Sequence, residues 1–110
     1  MNRKRAEGWL WSRFETTPIM STYLLAVVVS DYVYTERRYQ VCKRSVTMRF
    51  WSRPEHLSRM RFVIDLVPKM LSFLEKYFRM PFALNKIDFI SLPDVDTFSA
   101  MENWGLIVFE

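Results

Sequence analysis

The chain has 110 residues, half of them apolar, which suits at most one small domain or a piece of a larger one. Its formal charge of +4 is unevenly placed: residues 1–61 hold 12 Lys/Arg against 5 Asp/Glu and residues 62–110 hold 4 against 7, so the balance passes from +7 to −3. The arginines are scattered rather than gathered in a run, which argues against a nucleic-acid partner, and the longest apolar run, Tyr23 to Val29, is far short of the ~20 residues that cross a bilayer as helix.

The start, Met1-Asn2-Arg3-Lys4-Arg5, is basic but lacks the apolar core and small-residue cleavage site of a secretory signal. Residues 8–35 are dense in β-branched and aromatic types and read as strand. Pro18 interrupts that strand, because proline cannot donate to a ladder. The nearly continuous apolar run after it predicts a strand covered on both faces. Thr35-Glu36-Arg37-Arg38 is the candidate for a domain boundary or a hairpin turn. Residues 39–51 form the next strand, with Val46, Met48 and Phe50 alternating against a wet face. Cys42, the only cysteine, has no internal disulfide partner and reads as a small buried hydrophobe.

Ser52-Arg53-Pro54-Glu55 has the spacing of a capping box and predicts a helix start, with proline tolerated in the first turn. Leu57, Met60, Ile64, Val67, Leu71, Leu74 and Phe78 follow at steps of three and four, with Val63, Leu66, Met70, Phe73 and Tyr77 as a second stripe. Two stripes predict a broadly buried helix. Their spacing also fits a coiled-coil seam, which the small number of heptads and the internal proline disfavour. Asp65/Lys69 and Glu75/Arg79 stand four apart with the acid first, the favourable order for ion pairs. Pro68 removes one backbone bond and predicts a kink or break between Ile64 and Pro68.

Pro81 ends the helical pattern, and residues 86–92 read as a short strand stopped by Pro93. Asp94 to Phe98 form a loop leading to Ser99-Ala100-Met101-Glu102-Asn103, and a last strand starts near Trp104. Gly105 allows another backbone or a ligand to come close. Leu106 to Phe109 are apolar on both faces and predict a covered strand; left bare, that edge would make the isolated chain poorly soluble. Taken alone, Glu102 is a solvated loop acid.

Ser99-Ala100-Met101-Glu102-Asn103-Trp104-Gly105-Leu106 resembles the Gly-Ala-Met-Glu-Asn signature of the zinc aminopeptidases of the aminopeptidase N family. Thr17 to Ala26 is similar to the run that closes that family's N-terminal β-domain. Val67 to Leu71, Phe73 to Phe78 and Pro81-Phe82 resemble the early helix of its thermolysin-like domain and the turn after it. The three stretches stand in the family's order and span nearly everything from Gly8 onward.

The resemblance implies an α+β fragment: residues 1–37 ending an N-terminal β-domain, and residues 38–110 opening a thermolysin-like peptidase domain with its sheet and first long helix. It implies removal of N-terminal amino acids from peptides by an enzyme with one catalytic zinc. Glu102 would grip the substrate's α-ammonium in a partly dry cleft, Ala100 and Met101 would offer backbone groups beside the bound residue, and Asn103 would hold the loop. Ser99 stands where the family has glycine, and the loop before it is about one residue longer than the family pattern.

That family's zinc is held by a His-Glu-x-x-His helix and a later glutamate, and the helix glutamate is the base. This sequence has one histidine, His56, at the start of its helix. No catalytic residue and no metal ligand is therefore assigned to these 110 residues, and zinc belongs to the complete enzyme. The partner implied is a peptide with an unblocked N-terminus, and membrane association would need segments outside this sequence. Two other readings stand beside this one: a truncated, non-catalytic family member that binds a peptide or a partner protein, and an unrelated basic α+β binding module.

Overall fold

The computed structural model describes residues 2–41, 44–93 and 100–110. Residues 2–6, to which the sequence pattern assigns no element, form strand β1 (Asn2–Ala6). It pairs antiparallel with β2 (Trp9–Arg13), Ala6 lying opposite Trp9. Glu7 and Gly8 close the hairpin with φ of 51° and 81°, the pair of left-handed conformations of a type I′ turn. The covered strand expected after Pro18 does not form. Residues 14–32 contain a single 3-10 turn, Thr22–Leu24, and Leu25, Val27 and Val29 are exposed. Branched side chains favour extended backbone, but an extended run becomes a strand only where a ladder partner lies beside it.

Thr35 to Arg38 does not turn; it forms the middle of β3 (Val33–Val41). That strand pairs antiparallel with β4 (Arg44–Ser52) from Val33 opposite Ser52 to Val41 opposite Arg44. Cross-strand partners explain why a polar run stays in a sheet: Glu36 lies opposite Arg49, whose Nε is 3.0 Å from the carboxylate. Cys42 lies outside the described residues.

The predicted capping box is also absent. Ser52 remains the last residue of β4, buried, and its hydroxyl donates to the Arg53 carbonyl at 3.0 Å. Pro54 opens a 3-10 helix (Pro54–Met60), which passes into α1 (Arg61–Phe78). α1 runs through Pro68 without a break, so the change in helix type falls at Met60 rather than near Pro68. Neither predicted i,i+4 pair is within ion-pair distance. Glu75 instead accepts the backbone amide of Phe82 at 2.7 Å, and Arg79 caps α1 in the left-handed conformation at φ 53°. These two contacts fold the chain back toward the sheet.

β5 (Lys86–Ser91) adds parallel to β4, and β7 (Leu106–Phe109) adds parallel to β5. The two-residue β6 (Ala100–Met101) pairs antiparallel with β7. The sheet order is β3-β4-β5-β7-β6. A mixed five-stranded sheet with one long helix is the expected α+β class.

The core lies between that helix and one face of the sheet. Val46, Met48 and Phe50 of β4 and Ile87 and Phe89 of β5 are buried with Met60 and Ile64, and the Phe50 and Phe89 rings stack 5.1 Å apart. Leu57, Val63, Val67, Leu71 and Ile107 pack around them. Period-two alternation sends Thr47, Arg49 and Trp51 to the opposite face, together with Asp88 and Ile90.

Burial of the helix is narrower than its two stripes predict. Ile64 is its one buried residue, whereas Phe62, Met70, Phe73, Tyr77 and Phe78 are exposed. Periodicity reports which face is apolar, not whether these residues cover it. β7 is likewise not an edge: it sits between β5 and β6, and Val108 is buried. The exposed apolar surface among the described residues lies instead on α1, on Trp9, Trp11 and Phe14, and on the segment with Ile19, Leu25, Val27 and Val29. Phe73→Glu with Tyr77→Lys is expected to raise the monomer fraction in sedimentation velocity at unchanged far-ultraviolet circular dichroism.

Candidate functional site

Four of the residues singled out by sequence form a strand and turn at one side of the sheet. Ala100 pairs with Phe109 and Met101 with Val108, which fixes β6 against β7. The chain then reverses over Glu102, Asn103, Trp104 and Gly105. The amide of Leu106 donates to the Asn103 carbonyl at 3.1 Å, closing a four-residue turn, and Gly105 at its third position has φ 75°. That is the type II arrangement, which favours glycine there. The last strand therefore begins at Leu106, two residues later than expected from Trp104.

Conformation is what calls for glycine at 105, and the space beside it is tight but bounded by side-chain ends. A Cβ at this position would lie 3.3 Å from Leu84 Cδ1 and 3.5 Å from Lys86 Nζ. Gly105→Ala is expected to cost about 1–3 kcal/mol through the left-handed backbone alone, read as a lower denaturant midpoint at constant m-value.

Asn103 is buried, and its Nδ2 donates to the Tyr23 carbonyl at 3.4 Å, a long bond that tethers the turn to the segment containing Thr22–Leu24. Ala100 is exposed and Met101 half-buried. Glu102 is exposed and makes no hydrogen bond or ion pair among the described residues. The partly dry cleft expected around it is not formed by these residues. Ser99, the fifth residue of the predicted set, lies outside the described residues.

Behind the turn is a polar cluster that sequence reasoning missed. The Gly105 carbonyl accepts two hydrogen bonds, from the backbone amide of Asp88 at 3.0 Å and from Lys86 Nζ at 2.7 Å. Lys86 Nζ also lies 2.6 Å from Asp88 Oδ2, and Trp51 Nε1 donates to Asp88 Oδ1 at 2.9 Å. Asp88 is 8 % exposed, so both of its oxygens are satisfied where leaving either bare would be costly. Trp51 is braced from β3 by Tyr34 at 4.4 Å between ring centroids, and the Arg49 guanidinium stands 5.6 Å above the Tyr34 ring. One signal was present in the sequence: Lys86 and Asp88 are two apart in a strand, which puts them on one face.

A separate open cavity of about 390 Å³ lies at the carboxyl ends of β4, β5 and β7, lined in part by Tyr32, Ser52, Arg53, His56, Ser91 and Glu110. Glu102 is not among its lining residues. His56 sits exposed in the 3-10 helix before α1. Among the described residues no three His, Cys, Asp or Glu side chains gather as a metal site would need, so the residues described do not fit a catalytic zinc. No helix among them is long and apolar enough to cross a membrane.

Comparison with known proteins bears on what this arrangement belongs to. Residues 62–110 match the model of the Peptidase family M1 domain. The chain is 45% identical over 101 residues to Aminopeptidase N of Haemonchus contortus, covering 92% of this chain and 10% of that protein. It is 38% identical over 104 residues to Aminopeptidase N of Canis lupus familiaris, covering 93% of this chain and 10% of that protein. It is 34% identical over 105 residues to the Thyrotropin-releasing hormone-degrading ectoenzyme of Rattus norvegicus, covering 94% and 10%. The chain thus spans about a tenth of the length of the curated relatives it matches. With nearly its whole length aligned to such proteins and its β5–β7 region inside the matched domain, the chain belongs to peptidase family M1, the aminopeptidase N family.

Proposed function

We propose that this chain supplies one wall of the substrate site of a zinc metallo-aminopeptidase that removes N-terminal amino acids from peptides. Residues 1–37 end its N-terminal β-domain and residues 38–110 open its peptidase domain, with β3 running across the join. Glu102 receives the α-ammonium of the substrate, Ala100 and Met101 present backbone groups from β6, Asn103 anchors the turn, and Ser99 precedes it. The observation that carries this reading is the contrast within the turn. Asn103 and Gly105 are each held by hydrogen bonds, whereas the Glu102 carboxylate between β6 and Asn103 is exposed and makes no bond among the described residues. A fixed backbone bearing an exposed carboxylate suits charge-assisted bonding to an ammonium from outside. It favours exopeptidase selection, since a blocked N-terminus would leave the acid unpaired.

Zinc in this proposal belongs to the complete enzyme, because the described residues offer no fitting ligand set, and no chemical step is assigned to them. Ser99, where the family has glycine, favours a second reading, a family member that binds a peptide or a partner protein without cleaving it. The test is a chimera in which this chain replaces the segment it matches in the Haemonchus contortus enzyme. Hydrolysis of an aminoacyl reporter that is lost on N-acetylation of the substrate is expected. Equal handling of acetylated and unblocked substrates would sink the ammonium role. Zinc-dependent release by the 110-residue chain alone would overturn the absence of catalytic groups.

A further inference from the structure

We infer that Lys86 is the positioning residue of the Glu102 turn. The inference rests on the reading of Glu102 given above, but its structural part stands on separate observations. Gly105 is the third residue after Glu102 and the last before β7. Its carbonyl accepts from Lys86 Nζ at 2.7 Å and from the Asp88 amide at 3.0 Å. The amide bond belongs to the β5–β7 ladder, and any residue at position 86 would leave it possible. The ammonium bond is specific to a long cationic side chain.

Lys86 does not hang freely from its strand. Its ammonium is fixed by Asp88 Oδ2 at 2.6 Å, while Asp88 is fixed through its other oxygen by Trp51 Nε1 on β4. The side chain of Asp88 is 11 % exposed and that of Lys86 52 %, so the ion pair has one dry end and one wet end. The resulting line of contacts, Trp51 to Asp88 to Lys86 to the Gly105 carbonyl, runs from β4 through β5 and ends on the turn before β7. The geometry carries the position of the buried sheet to the peptide plane between Gly105 and Leu106, at the far end of the turn that follows Glu102. On the turn's other flank, the hold is the β6–β7 pairing and the 3.4 Å bond from Asn103, so at the Gly105 end the contact that depends on one side chain is that of Lys86.

Lys86→Met keeps the length of the side chain and removes both the charge and the donors, while Lys86→Arg retains a cation. The experiment places each variant in the chimera described above and reads two things. Hydrogen exchange followed by mass spectrometry is expected to show at least tenfold faster exchange in Lys86→Met for the segment spanning Glu102 to Leu106. β3 and β4 should be unchanged, and Lys86→Arg should restore much of the protection. A general loss of stability would speed exchange in all these strands together.

Kinetics with unblocked substrates form the second reading. Lys86→Met is expected to lower kcat/KM about tenfold, within the range that a misplaced group can cost. That loss should nearly vanish in a Glu102→Gln background, because a residue that acts by placing Glu102 has nothing left to place. Unchanged exchange around the turn, or a kinetic loss equally large with and without Glu102, would overturn the inference. Should Glu102→Gln by itself leave the kinetics untouched while Lys86→Met loosens the turn, the ammonium role fails and Lys86 is left holding a turn with no such role.

Discussion

Replacing Phe50 with alanine is expected to unfold the sheet from the helix. Phe50 is fully buried at the centre of β4, stacked 5.1 Å from Phe89 on β5, and both belong to the cluster that includes Ile64 of α1. Removing the ring deletes its transfer free energy and leaves a cavity that flanking strands, held in register by their ladders, cannot close. The expected cost is about 3–5 kcal/mol, comparable to the whole stability of a marginal domain. Phe50→Leu fills most of that space and should keep the fold at a cost of about 1–2 kcal/mol. Equilibrium urea unfolding in the chimera, followed by a probe confined to this region, separates the two; an alanine variant within about 1 kcal/mol of the parent would mean that the core does not close as described.

Glu102→Gln in the same chimera carries the largest effect expected on activity. The substitution keeps the shape and one acceptor but removes the charge. Between an exposed carboxylate and an exposed ammonium that change matters little, about 0–1 kcal/mol. In a site closed by the rest of the enzyme, loss of one partner of a desolvated charged pair costs at least about 2 kcal/mol, which is about thirtyfold in kcat/KM. The size of the effect therefore reports how far the remainder of the protein dries a carboxylate that this segment leaves wet. The loss should fall on unblocked peptides, while trace turnover of N-acetylated ones should be little altered. A glutamine variant within threefold of its parent on unblocked substrates would exclude a dry ammonium receptor at this position.

Much of the fold was legible because its signals are local. Val46, Met48 and Phe50 alternate and form the helix-facing side of β4, and the three- and four-residue steps from Leu57 to Phe78 produce a helix. Where the sequence misled, the missing information was a partner. The run from Tyr23 to Val29 looks like a strand but has no ladder beside it. Ser52 fits a cap but is held in β4, and Thr35 to Arg38 look like a turn but are matched by β4 across the sheet. The type II turn was foreshadowed by the glycine that its third position favours. Its brace was not, because Lys86 and the Gly105 carbonyl are 19 residues apart and meet only once β5 and β7 lie in register.

The parallel pairing of β4 with β5 also dictates an order of assembly. β3 and β4 are neighbours in the chain and can zip together as soon as both have been synthesised, whereas β5 cannot dock until residues 53–85 have emerged and swung back across the hairpin. Closing that long excursion is the slow, entropically opposed event of folding. During it, the face of β4 bearing Met48 and Phe50 is bare, so the nascent hairpin is the species that chaperones would need to shield.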